Sequence, residues 1–184
     1  MHSFLQARLD DLETARRQVD TLVAETTAEQ RAWQPEPTSW SIDQVLAHLN
    51  VTAEQYHPRV QRLMDRLRSR GLTSNRLYRP SPFAKLFNYV AGPENNMKLK
   101  APGKFVPPSA APDTLERYRG QQEELGGLIS QADGLDLNKL SLGSPITPLI
   151  RFSLGEALEL LCVHQKRHLR QVEGIRKHPR FPPG

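Results

Sequence analysis

Two histidines one helical turn apart, His164 and His168, are the residues whose spacing most directly indicates chemistry. At about 100° per residue in a helix, both lie on the apolar stripe that contains Leu161 and Val172, whereas Glu173 lies on the opposite side. Two imidazoles at positions i and i+4 of one helix face can reach the same metal ion. The spacing therefore favours a divalent metal site on the core side of this helix.

A third histidine, His48, lies at the edge of the apolar stripe of another predicted helix, beside Val45 and Tyr56. It can therefore point at the same interior. The alternative for each histidine is a hydrogen-bonded core residue, which is the commoner role of a lone buried imidazole. For the pair, two buried imidazoles with no acid nearby in the sequence would both lose solvation, and a shared metal ion would compensate for that loss.

The other histidines and the single cysteine are expected to lie outside such a site. His2 is at a terminus expected to fray, His57 projects to the side opposite His48, and His178 lies beyond the end of its helix. Cys162 is about 160° around the helix from His164, so it cannot share an ion with that histidine. It is expected to pack as a small residue at the helix flank.

Four long helices would position these histidines, because apolar residues recur with the helical period. The predicted helices cover residues 3–26, 41–70, 113–132 and 153–177. The second and fourth begin with capping-box patterns, Ser41 with Gln44 and Ser153 with Glu156. Neither an internal repeat nor convincing strand alternation is present in the sequence. We therefore predict an all-α chain, with a four-helix bundle as the simplest closed packing.

A long crossover, residues 71–112, joins the second and third predicted helices and contains seven of the fifteen prolines. Its apolar residues are too many for a solvated linker, so they are expected to pack over the bundle and border the pocket mouth: Phe83, Leu86, Phe87, Tyr89 and Phe105. Lys98, Lys100 and Lys104 would make that mouth positive. The alternative is a crossover that only plugs the bundle end, far from the metal.

Composition limits the function classes. A chain of 184 residues suits one domain, 1–184. The single cysteine excludes an intrachain disulfide, and the sequence has no secretory or membrane-spanning apolar run, so a cytoplasmic protein is expected. The formal charge of +5 is spread over helix faces, and the arginine-rich stretches lack a nucleic-acid reading motif. We expect no nucleic-acid or membrane partner. P-loop, dinucleotide and nucleophile-elbow motifs are also missing from the sequence.

Two blocks of the sequence resemble the DinB-like superfamily, which includes the YfiT-like metalloenzymes. They are WSIDQVLAHL at residues 40–49 and HQKRHLRQ at residues 164–171. The resemblance extends to the order of helices and the proline-containing crossover. It implies a four-helix bundle of the mirror up-and-down type, often a homodimer. It also implies one divalent metal ion held by the residues that match its histidines, His48, His164 and His168.

The resemblance leaves the reaction open. Members of the family are described as metal-dependent hydrolases or as S-transferases that use low-molecular-weight thiols. Three neutral imidazoles would leave the ion its full charge and an open position, suited to either a water molecule or a substrate thiolate. Zinc and nickel are the expected metals, since neutral imidazole suits both. The competing class is a non-catalytic metal-binding module for stress response or small ligands.

Three polar residues can reach the site as contacts of the ligands or of a small-molecule substrate: Gln171, Gln55 and Thr52. The alternative for each is an ordinary polar residue at the edge of an apolar stripe. No Asp or Glu lies on the histidine face of the last helix, and Asp43 and Glu54 are not clearly directed inward. The lack of a dedicated general base slightly favours thiol transfer, because the thiolate is itself the nucleophile.

Overall fold

Helices form most of the chain in the computed structural model, which describes residues 1–95, 101–107 and 110–183. The predicted all-α class is confirmed. The elements in the described residues are α1 (Ser3–Ala24), α2 (Ala28–Ala32), α3 (Ile42–Ser69), α4 (Pro82–Ala91), a 3-10 turn (Gly103–Phe105), α5 (Thr114–Gln131), β1 (Leu142–Gly143), β2 (Arg151–Phe152) and α6 (Leu154–Arg176).

The four predicted long helices correspond to α1, α3, α5 and α6, each with ends within two residues of the prediction. Both capping boxes are present. The Ser41 hydroxyl accepts from the Gln44 amide at 3.2 Å, and the Gln44 side chain accepts from the Ser41 amide at 2.9 Å. Ser153 and Glu156 make the same reciprocal pair at the start of α6. These pairs satisfy N–H groups that have no intrahelical partner, which fixes where both histidine-bearing helices begin.

Four of the short elements differ from the sequence-based expectation. Helix α2 lies between the first two predicted helices, where no helix is predicted, and begins with a capping box of Thr27 and Gln30. The apolar patch PFAKLFNYV at residues 82–90 of the crossover predicts one or two helical turns, and helix α4, which covers it, is ten residues long. The two-residue strands β1 and β2 pair antiparallel just before α6. A pair this short has no alternation that sequence analysis could detect.

The long helices pack so that each contacts two others: α1 contacts α5 and α6, and α3 contacts the same two helices. Helices α3 and α6 run in opposite directions, because Ile42 near the start of α3 shares a core cluster with Val172 and Ile175 near the end of α6. This direction sets the first turns of α3 beside the second half of α6. His48 is thereby brought to the level of His164 and His168.

The start of the crossover is fixed against the N-terminal part of α6. The Tyr78 hydroxyl donates to the Glu159 carboxylate at 2.7 Å, and the ring of Tyr78 lies directly over Gly155. A Cβ at Gly155 would come within 2.4 Å of that ring. The backbone N–H of Ser81, at the start of α4, donates to Glu156 at 2.9 Å. Gly155 is therefore needed for close packing, and the packing aligns α4 with α6.

Replacing Gly155 with alanine should destabilise the protein by about 1–3 kcal/mol, the usual cost of overpacking a filled contact. The contact is a ring, which cannot bend away as a flexible side-chain end would. Gly174→Ala is the matched control, since no atom lies within 4 Å of a Cβ at that position of the same helix. There the gain in helix propensity should be neutral or stabilising by about 1 kcal/mol. Denaturant unfolding of both variants tests this, and equal effects would contradict the packing argument.

Candidate metal centre

His48 is held in one tautomer by the crossover. Its Nδ1 lies 2.6 Å from the backbone carbonyl oxygen of Phe105, in the 3-10 turn. A carbonyl oxygen can only accept, so Nδ1 carries the proton and donates. The lone pair of the neutral ring is then on Nε2, which faces His164. A second contact of this kind is typical of imidazoles that ligate metal ions, because it orients the ring and raises its basicity.

The three imidazoles converge on one point. Nε2 of His164 lies 3.4 Å from Nε2 of His48 and 3.2 Å from Nε2 of His168. One ring nitrogen from each residue lies within 4.8 Å of the others, and these three residues could hold a metal ion. Tetrahedral ligands at the usual zinc–nitrogen distance are about 3.3 Å apart. The spacing of the Nε2 atoms therefore fits an ion bound between them.

The protonation states also fit. Nδ1 of His168 lies 2.9 Å from the side-chain oxygen of Gln171, so this ring also donates from Nδ1 and presents the Nε2 lone pair. The Nε2 lone pairs of His48 and His168 both face Nε2 of His164, which can donate a hydrogen bond to only one of them. An ion that accepts all three lone pairs removes the conflict.

Burial keeps the three rings neutral. It lowers the pKa of His48, although the hydrogen bond to Phe105 raises that pKa in part. Burial, with repulsion from the neighbouring charges, lowers the pKa of His168 to about 3 and moves that of His164 well below its usual range. Neutral imidazole is the form that ligates a metal, so the environment favours ligation at neutral pH.

A known protein family matches most of this chain. The sequence profile of the DinB superfamily matches residues 11–172. The chain belongs to the DinB superfamily. All three histidines of this DinB superfamily chain lie inside the matched region. Neither the comparison with curated proteins nor that with solved structures finds a significant match. No helix in the described part of the DinB superfamily chain is long and apolar enough to cross a membrane.

The three polar candidates, Gln171, Thr52 and Gln55, differ in how they contact the histidine group. Gln171 contacts the histidine group directly, through Nδ1 of His168. The Thr52 hydroxyl donates instead to the backbone carbonyl of His48 at 2.9 Å, within α3. Gln55 is half-buried one turn further along α3, and among the described residues its side chain makes no hydrogen bond to the three histidines. Only Gln171 therefore has a contact that could tune a ligand.

We expect Gln171→Ala to weaken metal affinity about 10–100-fold, the usual cost of removing the partner of a ligating histidine. The His168 ring would lose the acceptor that fixes its tautomer, while its own Nε2 would remain in place. Competition with a metal-sensitive dye gives the affinity. Gln55→Ala is the matched control and should change it less than about twofold. Equal affinities for both variants would contradict the role of Gln171.

Trp40 is a neighbour of the site that sequence analysis missed. Its ring centroid lies 4.9 Å from that of His48 and 6.2 Å from that of His168, nearly parallel to the latter at 27°. In the sequence, Trp40 and Val45 flank the Ser41 capping box, a pattern that predicts a hydrophobic staple and no contact with the histidines. Its position directly before the Ser41 cap indicates that it lies at the helix start, but only the approach of α6 places its ring over the two imidazoles.

The crossover contacts the site, but with fewer of its apolar residues than predicted. Phe105 is buried, and Phe87 is half-buried with its ring 5.2 Å from that of Phe152. The predicted burial of Phe83, Leu86 and Tyr89 is wrong, because α4 turns this stripe outward. Its inner face carries smaller residues that allow close approach to α6. Lys104 is exposed, while Lys98 and Lys100 lie outside the described residues.

Arg167, between the two histidines of α6, connects that helix to the end of α4. Its guanidinium donates to the carbonyl oxygens of Val90 and Gly92 at 3.1 Å and of Asn95 at 2.9 Å. From the sequence, Arg167 and the other basic residues near the end of this helix are expected to form a solvated face. The structure shows a half-buried side chain that satisfies carbonyls at the C-terminus of a neighbouring helix, where a cation is favoured.

The remaining histidines and Cys162 lie outside the group. The expectation of a frayed His2 is wrong: its Nδ1 accepts from the Phe4 amide at 3.2 Å and caps α1. His57 is buried and contacts the carboxylate of Glu124 at 3.0 Å, on the side of α5. His178 follows the end of α6 and packs on Trp33. Cys162 is buried, and burial raises the pKa of its thiol to about 12, as suits an inert packing residue.

Proposed function

We propose that His48, His164 and His168 bind one divalent metal ion, zinc or nickel, and that the protein is an S-transferase acting on a small molecule with a low-molecular-weight thiol. The strongest support for the ion is that each of the three Nε2 atoms lies within 3.4 Å of another Nε2 atom of the group. A bound ion would supply positive charge that lowers the pKa of a thiol or of a water molecule at an open position.

Thiol transfer is favoured over hydrolysis because no carboxylate in the described residues joins the histidine group. Asp43 lies 3.7 Å from the guanidinium of Arg31, and burial raises the pKa of Asp43. Glu54 forms a salt bridge with Arg117 on α5. Neither carboxylate is available as a general base for water, because each pairs with an arginine, whereas a thiolate is itself the nucleophile. Metal-dependent hydrolysis is the second candidate.

We also propose the architecture, domain organisation, oligomeric state and location of the protein. The ring of contacts among α1, α5, α3 and α6 supports a closed four-helix bundle of the mirror up-and-down type. We further propose a single domain over residues 1–184, a cytoplasmic homodimer and no nucleic-acid partner. A non-catalytic module that binds metal and a small ligand is the alternative from another class.

The test begins with metal analysis of the purified protein, followed by turnover of an electrophile such as 1-chloro-2,4-dinitrobenzene with a panel of thiols. The proposal expects turnover that requires both the ion and a thiol and that disappears in His164→Ala. Turnover of ester or amide substrates without thiol would favour hydrolysis. Stoichiometric ion with no turnover of either kind would favour the binding module, and a protein that binds no divalent metal would contradict all three.

A further inference from the structure

The outer side of α4 exposes large apolar side chains. Five of the eight exposed large apolar residues in the described ranges belong to the crossover: Leu77, Phe83, Leu86, Tyr89 and Val106. At about 100° per residue, Phe83, Leu86 and Tyr89 share one arc of roughly 120° on α4, which we call the α4 arc. Their exposed fractions are 48%, 63% and 59%. A single exposed apolar residue is ordinary, whereas several on one helix face indicate a surface that binds a partner.

The α4 arc is held outward by the contacts on the other side of the helix. Ala84 is buried on that side, which packs against α6. The backbone N–H of Ser81 donates to Glu156 at 2.9 Å, and the guanidinium of Arg167 donates to the carbonyl oxygen of Val90 at 3.1 Å. These bonds connect both ends of α4 to α6. Within the described part of the chain, the inner side of α4 is therefore occupied and the arc remains open to solvent.

The excess positive charge of the protein lies in the same segment. Residues 71–112 contain six lysines and arginines and a single acidic residue, Glu94, which gives a formal charge of +5. The rest of the chain carries nineteen basic and nineteen acidic residues. The net charge of the whole chain, also +5, therefore comes from the crossover, and the expected spread over the faces of the long helices is wrong.

Basic side chains lie at both ends of the α4 arc. Arg79 precedes the first residue of α4 by three positions, and Lys85 lies on the helix itself. At the other end, the guanidinium of Arg170 donates to the carbonyl oxygen of Pro93 at 2.5 Å. All three basic residues are exposed, and none of them forms a salt bridge with another described residue. The arc is therefore bordered by positive charge that is free to meet an anionic partner.

An anionic membrane surface matches both properties of this region. Its headgroups attract lysine and arginine, and its interface takes up leucine, phenylalanine and tyrosine side chains. A symmetric contact with a second copy of the chain would instead bring like charges together. The arc is also small for a protein contact. It exposes roughly 300–400 Å², at about 200 Å² for a full side chain of this size, whereas a standard protein interface buries about 800 Å² per partner.

We propose that the α4 arc docks the protein on the surface of an anionic lipid bilayer, with the three basic side chains around it facing the headgroups. Helix α4 would then lie in the plane of the interface, with its outer side in contact with the acyl boundary. The sequence-based expectation of no membrane partner rests on the lack of a spanning segment, which an interfacial helix does not need. The docking concerns where the protein acts and is independent of the metal ion and the reaction.

Co-sedimentation of the full-length protein with vesicles of phosphatidylcholine, with and without phosphatidylglycerol, tests this docking. The wild type should bind the vesicles that contain phosphatidylglycerol at least about tenfold more tightly, because several basic side chains meet anionic headgroups. Salt at about 0.5 M should remove most of that preference, since it screens exposed charges. Equal binding to the two compositions, or no binding to either, would overturn the proposal.

Phe83→Ser combined with Leu86→Ser should weaken binding to the vesicles that contain phosphatidylglycerol about tenfold or more, because the variant loses apolar area that enters the interface. Both side chains are exposed, so the melting temperature and the oligomeric state should equal those of the wild type. Size-exclusion chromatography with light scattering measures the latter. A wild-type dimer that this variant converts to a monomer would overturn the lipid assignment, because the arc would then join two copies of the chain.

The charges around the arc have a matched control on another helix. Arg79→Gln combined with Lys85→Gln should weaken binding to the same vesicles about tenfold. Arg62→Gln combined with Arg66→Gln removes two exposed positive charges from α3 and should change binding less than about twofold, since charges away from the contact are screened. Equal losses in the two pairs would indicate attraction by net charge alone and would overturn docking at α4. None of these measurements uses the metal ion or a thiol, so their outcome does not bear on the proposed S-transferase activity.

Discussion

Replacing His164 and His168 together with alanine should reduce bound metal from about one ion per chain to less than a tenth of that. Two of the three converging Nε2 atoms would be lost, and a single imidazole does not retain a divalent ion. The helices should remain, because α6 is held by buried apolar residues that do not depend on the ion, among them Leu158, Leu161 and Val172. Elemental analysis and far-ultraviolet circular dichroism measure the two effects.

His178→Ala is the control for this prediction. It removes an imidazole near the end of the same helix, packed on Trp33 and outside the converging group. Its metal content should equal that of the wild type. A double variant that keeps a full equivalent of metal would show that the ligands lie elsewhere, and one that loses its helical signal would show that the ion is needed for folding.

Removing the ion with a chelator should lower the melting temperature by about 10 °C at neutral pH. A ligand present at a thousand times its dissociation constant stabilises the folded state by about 4 kcal/mol. For a chain of this length each kcal/mol shifts the melting temperature by about 2–4 °C. Because burial lowers the pKa of all three imidazoles, acid competes with the ion in the folded protein only as pH falls toward these lowered values.

The metal-free protein should also lose stability in acid. Burial holds the pKa of His168 at about 3 and lowers that of His48 and His164, whereas the unfolded chain has histidines near 6.5. The folded state therefore binds fewer protons, so the stability is fully present above about pH 6.5. It decreases as pH falls from there toward 3, by at most about 1.4 kcal/mol per pH unit for each histidine.

Melting curves between pH 5 and 8, with and without a strong chelator, separate the two contributions. Both forms should lose similar stability from pH 6.5 to 5, because the unfolded chain takes up the protons in both cases, and the ion-loaded protein should melt about 10 °C higher throughout. His168→Ala should show a shallower decrease in the stripped state. Identical melting temperatures with and without a chelator that has demonstrably removed the ion would exclude a stabilising role for the metal.

The helical content and the ends of the long helices could be predicted from local patterns. Periodic apolar residues and the capping boxes at Ser41 and Ser153 act within a few residues of sequence, so their effect does not depend on the rest of the fold. The direction of the α4 stripe could not be predicted. An amphipathic helix shows which residues share a face, but Phe83, Leu86 and Tyr89 lie outward because the smaller inner residues allow closer packing on α6.

For the site, helical spacing alone predicts that His164 and His168 share one face of a helix and that His48 lies on a helix able to face them, because spacing is a local property. The remaining features of the site depend on how the helices pack. The opposite directions of α3 and α6 bring three Nε2 atoms together, Trp40 covers two of the rings, and the Phe105 carbonyl fixes a tautomer from 57 residues away in the sequence. Contacts between residues so far apart depend on how whole helices pack, which no local pattern encodes.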